Sequence, residues 1–192
     1  MSFENISIER TGAVATLWLD RPEKLNALHR VLWKSIPAAV ASLDDDPDVK
    51  AIVLAGRGKA FCAGIDLIDH APSMAAGGSL SGRGESVVGK RRALLDDIRG
   101  YQQTASCFAN TNKPVVAAVH GACIGAGMDL ITACDIRLAS ADAVFSVRET
   151  RIAMVADIGT LQRLPRVIGD GPARALIFTG RDIDAARALS IG

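Results

Sequence analysis

The sequence predicts an α/β domain, and three features carry that prediction. Short apolar runs closed by glycine recur along the chain, and stretches with helical apolar spacing lie between them. Hydrophobic residues make up 49% of the 192 residues and charged residues 22%, enough to bury a core. Residues 14–20 alternate apolar and polar side chains and stop at Arg21-Pro22, as a half-exposed strand does. Residues 27–43 place Leu28, Val31, Leu32, Ile36, Ala39, Val40 and Leu43 on helical spacing, with Pro37 inside and a kink expected there. Residues 51–56 and 115–121 are continuous apolar runs, read as strands buried on both faces. Residues 90–110 form a second helix ended by Asn112-Lys113-Pro114. Residues 135–140 and 143–147 are further strands, and a helix is expected over 159–167. Residues 177–180 read as a short apolar segment and turn, and 184–189 open another helix.

The whole chain, 1–192, is read as one domain. Its one break in pattern is 71–89, where five glycines and four serines favour a mobile surface loop between core elements. The last helix has barely begun at Gly192, so the helical C-terminal part reads as truncated.

Lysine and arginine number 22 and aspartate and glutamate 21, a formal charge of +1. That balance offers no basic footprint for nucleic acid and no polybasic membrane surface. No apolar run approaches the roughly 20 residues that span a bilayer, and residues 1–10 carry charges where an export signal has its apolar core. Cys62, Cys107, Cys123 and Cys134 form no C-x-x-C pair and are expected to be reduced, half-buried thiols of a cytoplasmic protein. His29, His70 and His120 lack metal-ligand spacing, and no serine sits in a G-x-S-x-G elbow.

Two glycine turns carry the first chemical signal. Ala60-Phe61-Cys62-Ala63-Gly64-Ile65-Asp66-Leu67 follows one apolar strand, and Gly64 can turn the Ile65 amide into a cavity. Taken alone it is an ordinary strand-to-helix turn with Asp66 as the cap. Gly121-Ala122-Cys123-Ile124-Gly125-Ala126-Gly127 follows another strand and opens a helix, freeing amides at its N-terminus. Two such donors on one oxygen make an oxyanion hole.

Asp129, Glu149 and Asp157 form the second signal, since acids in apolar surroundings are costly unless paired or functional. Each has a structural alternative. Asp129 could be a helix-start acid, Glu149 an ion pair with Arg148 or Arg151, and Asp157 the cap of the helix that follows.

The segments Arg21 through Leu28, Ala60 through Leu67, Lys113 through Gly121 and Cys134-Asp135-Ile136-Arg137 are together specific, and on them the chain resembles the crotonase superfamily, the enoyl-CoA hydratase/isomerase family. The resemblance runs from Val14 to the final residues. It implies a spiral of β-β-α repeats with a helical C-terminal region that helps form homotrimers and hexamers. It implies an acyl-CoA thioester as the substrate and no separate cofactor, coenzyme A being part of that substrate. It assigns the Ile65 and Ala126 amides to the oxyanion hole, alanine standing where glycine is more usual. Leu25, Ala27, Ala63, Asp66 and Leu67 fall on the CoA path.

Hydratases of the family carry Glu, Glu and Gly at the positions of Asp129, Glu149 and Asp157. The triplet here, with the run from Ala156 to Pro165, is similar instead to Δ3,5-Δ2,4-dienoyl-CoA isomerases. Their reaction removes a proton at C2 and adds one at C6, two distant carbons that need two carboxyl groups. Glu149 is then the expected base at C2, Asp157 the acid at C6 and Asp129 a nearby tuning charge, with the dienolate oxygen held by the two amides. Enoyl-CoA hydratase and a catalytically silent acyl-CoA-binding protein are the alternatives.

Overall fold

The computed structural model describes residues 3–70 and 86–192. Its main sheet has five strands, β1 (Ile6–Thr11), β2 (Val14–Leu19), β3 (Ala51–Gly56), β4 (Val115–Val119) and β6 (Ile136–Ala139), in the order β1-β2-β3-β4-β6. β1 runs antiparallel to β2; the rest are parallel. A second sheet joins β5 (Ala122–Ile124), β7 (Val144–Ser146) and β8 (Ile183–Asp184). The helices are α1 (Arg30–Asp44), α2 (Val87–Asn110), α3 (Ala126–Thr132), α4 (Thr160–Ile168), α5 (Asp170–Thr179) and α6 (Ala185–Ile191).

The core sits where Ala15, Leu17, Leu19, Ile52, Leu54, Val115 and Ala117 meet the apolar stripe of α1 and Ala105 and Phe108 of α2. Each full burial of a leucine or isoleucine side chain stabilises by about 2 kcal/mol. The opposite face of β3 and β4 is only half covered, at Val53, Val116 and Ala118, so these strands bury one face completely rather than both. α1 continues through Pro37. Proline has no N–H for the Trp33 carbonyl, and the buried Thr104 hydroxyl of α2 donates to it at 2.7 Å instead.

Three features depart from the sequence expectation. β1 lies in a segment where no strand was expected. β5 forms where only a glycine turn was expected, because three residues suffice to pair with β7. Residues 177–179 belong to α5, since Ala173 and Leu176 give that stretch a buried helical face and Gly180 closes it in the left-handed region. The expected loop at 71–89 lies outside the described residues as far as 85; of the remainder, Ser86 caps α2 and residues 87–89 are helical. No described helix is long and apolar enough to cross a membrane.

Candidate active site

The cavity that gathers the candidate residues has a volume of ≈ 260 Å³ and lies between the two glycine turns. Its lining includes Gly64, Ile65, Ala126, Asp129, Glu149 and Asp157. Backbone pairing brings the turns together. Cys62 N–H donates to the Ala122 carbonyl and Ile124 N–H to the Cys62 carbonyl, both at 2.9 Å. The pairing then stops, and Gly64 (φ +99°) and Gly125 (φ +53°) turn the chain. A methyl on Gly64 would lie 3.1 Å from the Ile124 carbonyl oxygen and 3.8 Å from the Ala126 nitrogen. The bonds that tie this segment to Leu28 use the Gly64 carbonyl and the Asp66 amide, on either side of Ile65. Among the described residues neither the Ile65 nor the Ala126 N–H donates to another backbone group, and Ala126 opens α3. Two residues whose amides are not committed to the backbone ladder thus line one cavity.

Asp129 is fully buried. Its Oδ1 accepts from both the backbone N–H and the hydroxyl of Thr160, each at 2.6 Å. Its Oδ2 has no partner among the described residues. Burial pushes its carboxyl up to about 7; the Glu149 charge pushes the same way, while the Thr160 bonds and Arg163 pull down. Asp129, and not Asp157, therefore satisfies the first amide of α4. The alternative that made Asp157 the cap of this helix is not what the fold adopts: residue 159, a glycine with φ +146°, occupies the cap position.

Glu149 is half-buried in a short 3-10 turn, Glu149–Ile152. A methyl on Gly125 would lie 3.2 Å from its Oε1, and its Oε2 has no partner among the described residues. Desolvation raises its pKa, and the Asp157 charge adds to the rise. The ion-pair alternative is not what the fold adopts. Both flanking arginines turn to Asp182, Arg148 through two bonds of 3.0 and 2.6 Å and Arg151 at 3.9 Å. Asp157 lines the same cavity but is exposed, at its solvent side.

The other candidates surround this centre. Ala63 and Leu67 line the cavity, and the Ala63 N–H donates to the Leu25 carbonyl at 3.0 Å. Leu25 is left-handed (φ 51°) and 43% exposed. The Ala27 carbonyl accepts from Arg21 at 2.9 Å. The Asp66 carboxylate is engaged by Arg21 at 2.7 Å and by the Ile68 and Asp69 amides, so it caps the helical residues 67–70. Arg21 holds its pKa down against the opposing effect of burial.

Sequence reasoning missed Asn26, which is fully buried. Its side chain accepts from the Arg21 N–H at 2.9 Å and donates to the Arg57 and Ala60 carbonyls at 2.9 and 2.8 Å, stapling the Leu25 turn to the Ile65 segment. It also missed Thr160 and Asp182. All four cysteines are free, and three are buried rather than half-buried. Burial pushes the Cys62, Cys107 and Cys134 thiols up to about 12.

Residues 9–192 match the family described as enoyl-CoA hydratase/isomerase. The chain is 43% identical over its whole length to the peroxisomal Delta(3,5)-Delta(2,4)-dienoyl-CoA isomerase of Arabidopsis thaliana, covering 68% of that protein. It is 44% identical, again over its whole length, to the mitochondrial enzyme of that name from Homo sapiens, covering 57% of it. Among solved structures, the enoyl-CoA hydratase of Bacillus anthracis superposes with a TM-score of 0.84 at 30% identity, over 98% of this chain and 68% of that one. The chain thus spans between about half and two thirds of the length of these relatives, and its fold is theirs.

Proposed function

We propose that this chain, which belongs to the enoyl-CoA hydratase/isomerase family, shifts the double bonds of a 3,5-dienoyl-CoA to the 2,4 positions. The observation that carries the reading is Asp157, a third acid on the wall of the cavity that holds Glu149, close enough for its charge to act on Glu149. The thioester oxygen accepts from the Ile65 and Ala126 amides. Glu149 removes a proton from C2, and the electron pair moves onto that oxygen, giving an extended enolate. As the carbonyl reforms, the pair shifts along the chain and C6 takes a proton from Asp157. One proton leaves and one arrives, so the reaction calls for no redox or electrophilic cofactor, and coenzyme A enters only with the substrate. An apolar chain seated between the carboxyls removes water from around them and favours a shared proton.

Glu149 fits the base because, among the described residues, its flanking arginines pair with Asp182 instead and its Oε2 has no partner. Asp129 is tied down by Thr160 and sets the local charge. Leu25, Ala27, Ala63, Asp66 and Leu67 border the route by which the CoA moiety reaches the cavity. The four cysteines free of disulfides, three of them buried, fit a reducing compartment such as the cytoplasm, and assembly into trimers or hexamers is part of the same reading, checked by sedimentation.

The test is a 3,5-dienoyl-CoA and the near-ultraviolet band gained when the diene conjugates with the thioester. Wild-type protein produces the band. Asp157→Asn loses it and keeps acyl-CoA binding; full turnover in that variant sinks the role given to Asp157. One observation favours a second reading: Asp129 and Glu149 both line the cavity, and each has a buried oxygen with no partner among the described residues, as in a pair that activates water. Loss of 2-enoyl-CoA absorbance without any dienoyl conversion identifies a hydratase instead.

A further inference from the structure

The segment that carries Asp157 is held from behind by the long helix α2. Gln102 Nε2 donates to the Asp157 carbonyl at 2.8 Å. One helical turn on, Ser106 Oγ accepts from the Arg163 guanidinium at 2.7 Å. Positions 102 and 106 share a helix face. The Arg163 guanidinium lies across Gly159, where a methyl would collide with its Nη1 and lie 2.9 Å from its Cζ. The next residue, Thr160, is tied to Asp129. Asp157 N–H closes a tight turn onto the Val155 carbonyl at 2.9 Å. Positions 157, 159 and 160 thus each have a fixed contact, while the Asp157 side chain stands exposed on the cavity wall. Among the described residues, Gln102 is the one side chain that hydrogen-bonds the Asp157 backbone.

We propose that Gln102 is a positioning residue for proton delivery: by holding the Asp157 carbonyl it fixes the backbone from which the Asp157 carboxyl reaches C6. This inference rests on the isomerase reading. The two halves of that reaction depend on different groups. Breaking C2–H needs Glu149 and the oxyanion donors, whereas the hydrogen bond of the Gln102 side chain goes to Asp157. Forming C6–H, with the proton leaving an Asp157 oxygen and the enolate pair closing the new bond, needs Asp157 in place. A loosened Asp157 leaves the enolate to recapture a proton at C2, so substrate cycles without advancing.

The experiment incubates the full chain with a 3,5-dienoyl-CoA in D2O. It follows conversion by absorbance and deuterium at C2 of recovered substrate by mass spectrometry. Gln102→Leu keeps the bulk and drops the donor; Gln102→Glu keeps the shape but presents an acceptor to a carbonyl. Both are expected to lower kcat for conversion by about ten- to a hundredfold, to leave KM within about twofold, and to keep or raise C2 exchange. Wild-type conversion rates in either variant overturn the proposal. So does a parallel fall of conversion and exchange, the mark of a general loss of structure. Absence of conversion by the wild type overturns the isomerase reading and this inference with it, and it is seen before any variant is compared.

Discussion

Asp129→Asn separates what the buried carboxyl does for the reaction from what it costs the fold. In the folded chain this carboxyl titrates near 7, against an ordinary 3.8. Between those values the folded state keeps a proton that the unfolded chain has released. Stability therefore falls as pH rises through that window and levels off above it. At about 1.4 kcal/mol per pH unit, the interval corresponds to a cost on the order of 4 kcal/mol at neutral pH. Part of it belongs to the pair, because the Glu149 charge contributes to the rise. An asparagine cannot titrate, yet its amide oxygen still accepts from the Thr160 N–H and hydroxyl. The variant should thus match the wild type near pH 4 and become more stable than it by several kcal/mol near pH 7. Urea unfolding at a series of pH values reads the difference directly. A difference that stays flat across the window, or shrinks toward neutral pH, refutes the assignment of Asp129 as a costly buried acid. Activity should fall in the same variant, as expected where a destabilised site serves chemistry.

Asp182→Ala releases Arg148 and Arg151 toward Glu149; the acid limb of the pH–rate profile should move down and turnover should fall about tenfold, with recovery when both arginines are also replaced by methionine. Gly125→Ala forces a residue into φ +53° with its methyl 3.2 Å from Glu149 Oε1; the strain costs about 1–2 kcal/mol by thermal melting, and turnover falls more steeply than stability accounts for. Asn26→Ala removes three hydrogen bonds of a fully buried side chain and should lower stability by about 2–4 kcal/mol in urea unfolding, with KM rising because the Leu25 turn loosens from the Ile65 segment.

The elements that could be read from sequence are those whose residues bury themselves. β3 was legible as residues 51–56 because Ile52 and Leu54 are apolar for a core that the same run closes with Gly56. β1 was not, since most of its side chains are half-buried or exposed and it forms by pairing with β2 rather than by its own apolarity. The turns at Gly64 and Gly125 were legible because glycine is the residue that takes positive φ without strain. Glu149's freedom from its arginines was not: it depends on Asp182, which is 33 positions beyond it and carries no local signal. Asn26 was hidden for the same reason, because two of its three bonds go to the Arg57 and Ala60 carbonyls, which only the folded chain brings within reach. Local pattern reports which residues want burial or a turn, and it says little about which distant polar group will meet them.

That division bears on how the three acids share a cavity. Asp129 is anchored on both donors of Thr160 and enclosed, so it can hold charge or proton but exchanges neither quickly with water. Glu149 is half-buried with one oxygen free, which suits a group that must take a proton from carbon and hold it. Asp157 is exposed at the solvent side, which suits a group that must give a proton and be resupplied. In the proposed isomerase reaction each cycle leaves Glu149 one proton richer and Asp157 one poorer, so the cavity has to be reset before the next substrate. An exposed acid resets by direct exchange with water, whereas a fully enclosed one would need the cavity to open. The cost of that exposure is orientational freedom in the side chain to which the proposal gives proton delivery. The bond from Gln102 to the Asp157 carbonyl limits that freedom at the backbone, where it does not obstruct the carboxyl's access to solvent.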